Sequence, residues 1–80
     1  MKLPRDVDGD DLVRGLKRLN YHVARSTGSH FILTTEDGGE HHVTVPAHKP
    51  IKPGTLSAIL KSVARHFGLS LEQLVRRLKL

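Results

Sequence analysis

The sequence predicts a small α+β protein, a two-layer sandwich of helices on one face of an antiparallel sheet, and three observations lead there. Two apolar stripes at helical spacing, Leu12, Val13, Leu16 and Leu19 and then Leu56, Ile59, Leu60, Val63 and Phe67, flank a middle segment rich in β-formers. That segment is broken only by tight turns, and strands joined so closely must pair antiparallel, because parallel pairing needs a crossover of about a dozen residues or more. The chain has 80 residues, enough for one domain and too few for two, so residues 1–80 are read as a single domain.

The first helix is expected over residues 9–19. Asp8 stands before it as a cap, Asp10 and Asp11 in its first turn and Lys17 and Arg18 in its last suit the helix dipole, and Asn20 tolerates the left-handed conformation that ends it. Residues 21–26 alternate Tyr21 and Val23 against His22 and Ala24, as a strand does, and Thr27-Gly28-Ser29 makes a turn. A second strand covers residues 30–35, the Asp37-Gly38 pair marks a hairpin, and a third strand covers residues 40–45 and stops at Pro46. Residues 47–53, with Pro50 and Pro53, read as an irregular connector made positive by Lys49 and Lys52. The second helix is closed by Gly68, and Ser70 with Gln73 forms a capping box for a short last helix carrying Leu71, Leu74, Val75 and Leu78. This order of helix, three antiparallel strands, helix and helical tail matches the double-stranded-RNA-binding-domain-like arrangement.

Composition narrows the function classes. Cysteine is absent, which excludes disulfide scaffolds, thiolate zinc sites and cysteine nucleophiles and fits a reducing compartment. The longest apolar runs, such as Phe31-Ile32-Leu33, fall far short of the roughly 18 residues of a membrane span, so a soluble, cytoplasmic chain is expected. Thirteen Lys and Arg against eight Asp and Glu give a net charge of +5 and a pI near 10.1. Acids outnumber bases in the first eleven residues, so the remaining body is more basic than the total implies. Such a body favours an anionic partner, and nucleic acid leads over a membrane surface because no segment sets Lys and Arg opposite a broad aromatic face. The few aromatics, Tyr21, Phe31 and Phe67, sit at packing positions, which leaves base stacking on them without support and points to phosphate and 2′-hydroxyl contacts.

Without cysteine, the chemistry falls to His22, His30, His41, His42, His48 and His66. His41 and His42 are adjacent on a strand and point to opposite faces, so they cannot join His48 on one ion; neither a metal nor a cofactor is expected. Walker, Rossmann and nucleophile-elbow signatures are missing, and Gly38-Gly39 is hairpin punctuation. The informative stretch is Arg25-Ser26-Thr27-Gly28-Ser29-His30, where a Gly-Ser turn delivers an imidazole to the start of a strand in a basic domain. An imidazole titrates near neutrality and can move a proton at a nucleic-acid hydroxyl; the competing reading is an ordinary polar residue at a strand start.

Three motifs in order carry a wider resemblance. Arg25 with Gly28-Ser29-His30, then Val43-Thr44-Val45-Pro46-Ala47-His48, then Gly54-Thr55-Leu56-Ser57-Ala58-Ile59-Leu60-Lys61 resemble the HicA toxins, also called YcfA-like mRNA interferases, over nearly the whole chain. The resemblance implies the toxin of a type II toxin–antitoxin system, an endoribonuclease that cleaves mRNA without a metal and uses the Gly-Ser-His histidine, here His30. It also implies a double-stranded-RNA-binding-like fold and a HicB-type antitoxin that covers the site. Two positions depart from the family pattern: Thr27 stands where a basic residue is frequent, and residues 62–67 add about one helical turn to the link before Gly68.

Candidate RNA contacts beside His30 are Arg25, Ser29, His48, Lys49 and Lys52. Basic groups must hold the phosphate and offset its developing charge. For the cations the alternative is a solvated charge, and for His48 a structural imidazole bonding the connector backbone. A non-catalytic RNA-binding module of the same fold, or a housekeeping relative, is the competing function, since one fold hosts many activities.

Overall fold

In the computed structural model, which describes residues 3–80, the elements run α1 (Gly9–Lys17), β1 (His22–Ser26), β2 (His30–Thr35), β3 (His41–Pro46), α2 (Pro53–Phe67) and α3 (Leu71–Leu78). The α+β order expected from the sequence is the order found, and the sheet is antiparallel with strand order β1-β2-β3. Among the described residues no helix is long and apolar enough to cross a membrane.

Helix α1 stops at Lys17, earlier than the apolar periodicity suggests. The next amides tighten, with Leu19 N donating to Leu16 O (2.9 Å) and Asn20 N to Lys17 O (3.1 Å), and Asn20 turns left-handed at φ 67° as expected of it. Leu19 nevertheless stays buried, so its place in the apolar stripe reflects packing rather than helix. At the other end of α1, Asp8 N donates to the Asp11 carboxylate (3.1 Å).

Register fixes what each face of the sheet carries. Leu33 pairs with Val23 and Val43, and Phe31 with Val45; these side chains point to the helices, where Leu33 and Val45 are fully buried. The opposite face carries the cross-strand rows His22-Thr34-His42 and Arg25-Ile32-Thr44 and the pair His30-Pro46. Simple alternation would put Arg25 beside Val23 under the helices. A bulge between Val23 and Arg25 sets an extra residue of β1 against β2, reverses the alternation and turns Arg25 to the open face. The β2–β3 hairpin turns on a bond from Gly39 N to Glu36 O (3.0 Å), with Gly38 and Gly39 at φ 72° and 106°, a conformation that favours glycine at both places.

The connector differs from expectation at its end. Pro53 is the first residue of α2 rather than the last of an irregular segment, because proline's missing N–H has no helical partner to lose at that position. The rest is held down: Ile51 N donates to Val7 O (2.8 Å) and Gly9 N to His48 O (3.0 Å). Gly9 lies so close to the end of β3 that a Cβ there would collide with the Pro46 carbonyl oxygen.

The core lies between sheet and helices, with Leu12 and Leu16 of α1, Leu60 and Val63 of α2, and Leu74 and Leu78 of α3 at 0–1% exposure. Helix α3 is therefore part of the core. Its capping box forms as the sequence predicts, Gln73 N donating to Ser70 Oγ (3.1 Å) and Ser70 N to Gln73 Oε1 (3.0 Å).

Candidate functional site

The Thr27–Ser29 turn between β1 and β2 is built by a side chain. Thr27 Oγ1 accepts from the amides of both Ser29 (3.3 Å) and His30 (3.1 Å), while Thr27 N donates to His30 O (2.9 Å). A hydroxyl with both bonds at one turn gives Thr27 a local role: the side chain shapes the loop. Ser29 O then accepts from Ala47 N (2.9 Å), which ties the turn to the chain leaving β3.

His30 opens β2 on the exposed face, with Nδ1 2.8 Å from Ser29 Oγ. This contact holds one ring nitrogen, and Nε2 has no hydrogen-bond partner among the described residues. The ring lines a shallow cavity of about 350 Å³ together with Thr44, Pro46, His48, Lys52 and Thr55. Of the residues singled out from sequence, the structure brings His30, His48 and Lys52 to one groove and places Ser29 in contact with His30. Arg25 lies diagonally from His30 across the β1–β2 pair, since it faces Ile32; such diagonal neighbours are about 7–8 Å apart, within reach of a long side chain. Lys49 is turned elsewhere, lining a small cleft with Gly9, Asp10, Ala47 and His48. His48 is exposed, and its backbone carbonyl rather than its ring takes the bond from Gly9.

Two contributors were not singled out from sequence. Thr44 and Thr55 bring hydroxyls to the groove, and Thr55 lies in the first turn of α2. Gly54 and Thr55 have no helical carbonyl four residues back, so their N–H groups and the positive end of the helix dipole are free to meet an anion. The signal was present in Pro53, a residue typical of a first helical position. With Lys52 at the cap, the groove sets an imidazole opposite a positively polarised helix end.

The other histidines are arranged differently. His41 and His42 do point to opposite faces. His42 is exposed, with Nε2 2.7 Å from Glu40 Oε1, whereas His41 turns under the sheet toward α2. There Tyr21 O–H lies 2.7 Å from His41 Nδ1, His41 Nε2 lies 3.2 Å from Ser62 Oγ, and the His41 and His66 rings stack at 4.5 Å. The neutral His41 tautomer with its proton on Nε2 satisfies both contacts. His66 Nε2 reaches the Asp37 carbonyl at 2.9 Å. Burial, then the nearby His66 and His42, hold the His41 pKa below its ordinary value. Burial pushes the Tyr21 hydroxyl up to about 12. Ser62, His66 and Phe67 all lie in the C-terminal turns of α2, which thus clamps the end of the sheet remote from His30. Among the described residues no three His, Asp or Glu side chains converge as ligands of one metal ion would.

A larger opening of about 510 Å³ between residues 3–6 and the connector is lined by Leu3, Pro4, Arg5, Asp6, Pro50, Ile51, Pro53 and Leu56, with no imidazole. Comparison with known proteins adds one finding. The family model described as HicA toxin of bacterial toxin-antitoxin matches residues 9–64, from the start of α1 into the last turns of α2, and so takes in every groove residue named above. No curated protein and no solved structure matches the chain.

Proposed function

Because the chain belongs to the HicA toxin family of bacterial toxin–antitoxin systems, we propose that this toxin acts as an endoribonuclease on mRNA, with His30 as its general acid and base. The observation that carries the reading is the exposed His30 ring, fixed at Nδ1 by Ser29 and opening onto a groove shared with Lys52, His48 and the first turn of α2. When Nδ1–H donates to Ser29 Oγ, the Nε2 lone pair is available to take the proton of a ribose 2′-hydroxyl. The 2′-oxygen then bonds to the adjacent phosphorus, the bond to the 5′-oxygen breaks, and the proton on Nε2 passes to that leaving oxygen. The products are a 2′,3′-cyclic phosphate and a 5′-hydroxyl, and this proton transfer requires no metal.

Charge develops on the non-bridging phosphate oxygens during this step. Lys52 and the free N–H groups of Gly54 and Thr55 stand where they can offset it, and Arg25 reaches the same neighbourhood from β1. Ser29 and His48 complete the proposed contacts, while Lys49 is the weakest of the original candidates by its direction. An antitoxin partner follows from the family; a HicB-type protein covering the His30 groove is the proposed form.

Cleavage of a labelled mRNA by wild type and His30→Ala, each with and without chelator, tests the reading. His30→Ala should lose about two to four powers of ten in rate while keeping its fold and most of its RNA affinity. Chelator should leave the wild-type rate unchanged, and the products should end in a cyclic phosphate. Near-wild-type cleavage by His30→Ala would overturn the mechanism and favour a non-catalytic RNA-binding module.

A further inference from the structure

The sheet face away from the helices carries polar side chains along its whole length. His22 and His42 flank Thr34 in one row, Arg25 and Thr44 flank Ile32 in the next, and His30 pairs with Pro46 at the end that opens on the groove. His22, Arg25, His30, His42 and Thr44 are exposed, and Ile32 and Thr34 partly so. The bulge in β1 adds a cation to this face by turning Arg25 outward.

We propose that this open face is a short single-stranded RNA track leading to His30, on which the His22 and His42 rings stack against bases and Arg25 holds a phosphate. The proposal rests on the ribonuclease reading and names how its substrate lies. Imidazoles are among the side chains on which unpaired bases stack, and an open sheet face presents them to a strand laid across it. The rows are also suitably placed: Thr34 lies four residue steps along β2 from His30, about 13 Å along the strand, and His22 and His42 lie about 10 Å apart across it.

Charge decides which part of the nucleotide goes where. His42 is tied to the Glu40 carboxylate, a poor neighbour for a phosphate but one that steadies the ring for a base. The phosphate contact falls instead to Arg25, one row nearer the groove. Beyond the His22-His42 row the β2–β3 turn brings Glu36 and Asp37, so the track ends there and the occupant is a few nucleotides long. A protein partner fits this face less well: exposed apolar or aromatic anchors mark the core of a protein interface, and here the apolar residues are Ile32, partly buried, and Pro46, buried, among imidazoles, hydroxyls and a guanidinium.

The test reads affinity by fluorescence anisotropy of a labelled single-stranded RNA of about six nucleotides, within the usual site size of a small single-strand-binding fold. The parent is His30→Ala, so that binding is scored apart from cleavage, and wild-type cleavage is measured separately. Adding His22→Ala and His42→Ala should weaken binding by about tenfold or more, from the loss of two stacking surfaces. His22→Tyr with His42→Tyr should restore it, and Arg76→Ala, on α3, should leave it unchanged. Both histidines are exposed, so neither change touches the core. Unchanged affinity in the alanine pair overturns the track while leaving a His30-dependent wild-type cleavage standing. Weakening in both the alanine and the tyrosine pairs overturns stacking. An alanine pair that keeps RNA affinity but loses a co-purified antitoxin assigns the face to that protein and overturns the track. Absence of both RNA binding and wild-type cleavage overturns the track and the ribonuclease reading together.

Discussion

His41 and Tyr21 show how single side chains couple this fold to pH. His41 faces Tyr21 at the entry to β1, Ser62 and His66 from α2, and Arg65 at the same cleft, with His42 beside it on β3. Its folded pKa is lowered from 6.5 by burial and then by His66 and His42, so below about pH 6.5 the unfolded chain takes up a proton that the folded chain resists. Stability should therefore fall as pH drops through that range. Tyr21 works at the other limit: unfolded it ionises near 10.0, folded it holds its proton to about 12, and the stability it contributes is lost as pH rises between the two. Urea midpoints followed across pH should show a shallower acid limb in His41→Gln and a shallower alkaline limb in Tyr21→Phe; unaltered limbs would remove these assignments. None of this was legible in the sequence, because His41 and Ser62 are 21 residues apart and no spacing rule joins them. The local setting of His30 was legible for the opposite reason, its partners Thr27 and Ser29 lying within three residues of it in the chain.

Local patterns reported the helices and turns well because they are local effects. The α3 capping box, the left-handed Asn20 and the glycine turn formed where the residues placed them. What misled the reading was tertiary: Leu19 continues an apolar stripe beyond the helix, and the β1 bulge reverses an alternation that looks regular in sequence. The contact between α1 and the end of β3 is equally hidden, since nothing before Gly9 or after Pro46 shows that the two backbones touch. Gly9→Ala tests it. A Cβ driven against the Pro46 carbonyl must push α1 away or shift residues 46–48, and the bond from Gly9 N to His48 O shifts with them. The expected cost is about 1–3 kcal/mol of stability, as for other overpacked sites. Because His48 lines the groove, cleavage should fall further than the stability loss alone dictates. A denaturation curve and a cleavage assay on the same preparation separate the two effects, and a variant as stable and as active as wild type would remove the contact's importance.

At the scale of the molecule, the net charge of +5 is unevenly spread. Glu36, Asp37 and Glu40 gather at the β2–β3 turn, where Asn20 and His66 bond Asp37, whereas His30, His48 and Lys52 gather at the opposite end beside the start of α2. On the proposed ribonuclease reading an RNA is drawn toward the His30 end, and its affinity should depend on salt through the few cations there rather than through all Lys and Arg residues. Each phosphate neutralised on a single strand contributes a slope of about −0.7 in log affinity against log salt. Two to four contacts, among them Lys52 and Arg25, give an expected slope of about −1.5 to −3, well below what the whole basic composition would produce. Lys52→Ala should flatten the slope by about 0.7 and weaken binding to every RNA alike, because a phosphate contact carries no sequence information. Arg76, on α3 and already paired with Glu72 at 2.7 Å, serves as the control, and its alanine variant should keep the wild-type slope. If both substitutions flatten the slope equally, attraction is spread over the whole surface, and the His30 end loses its claim to be where RNA is held.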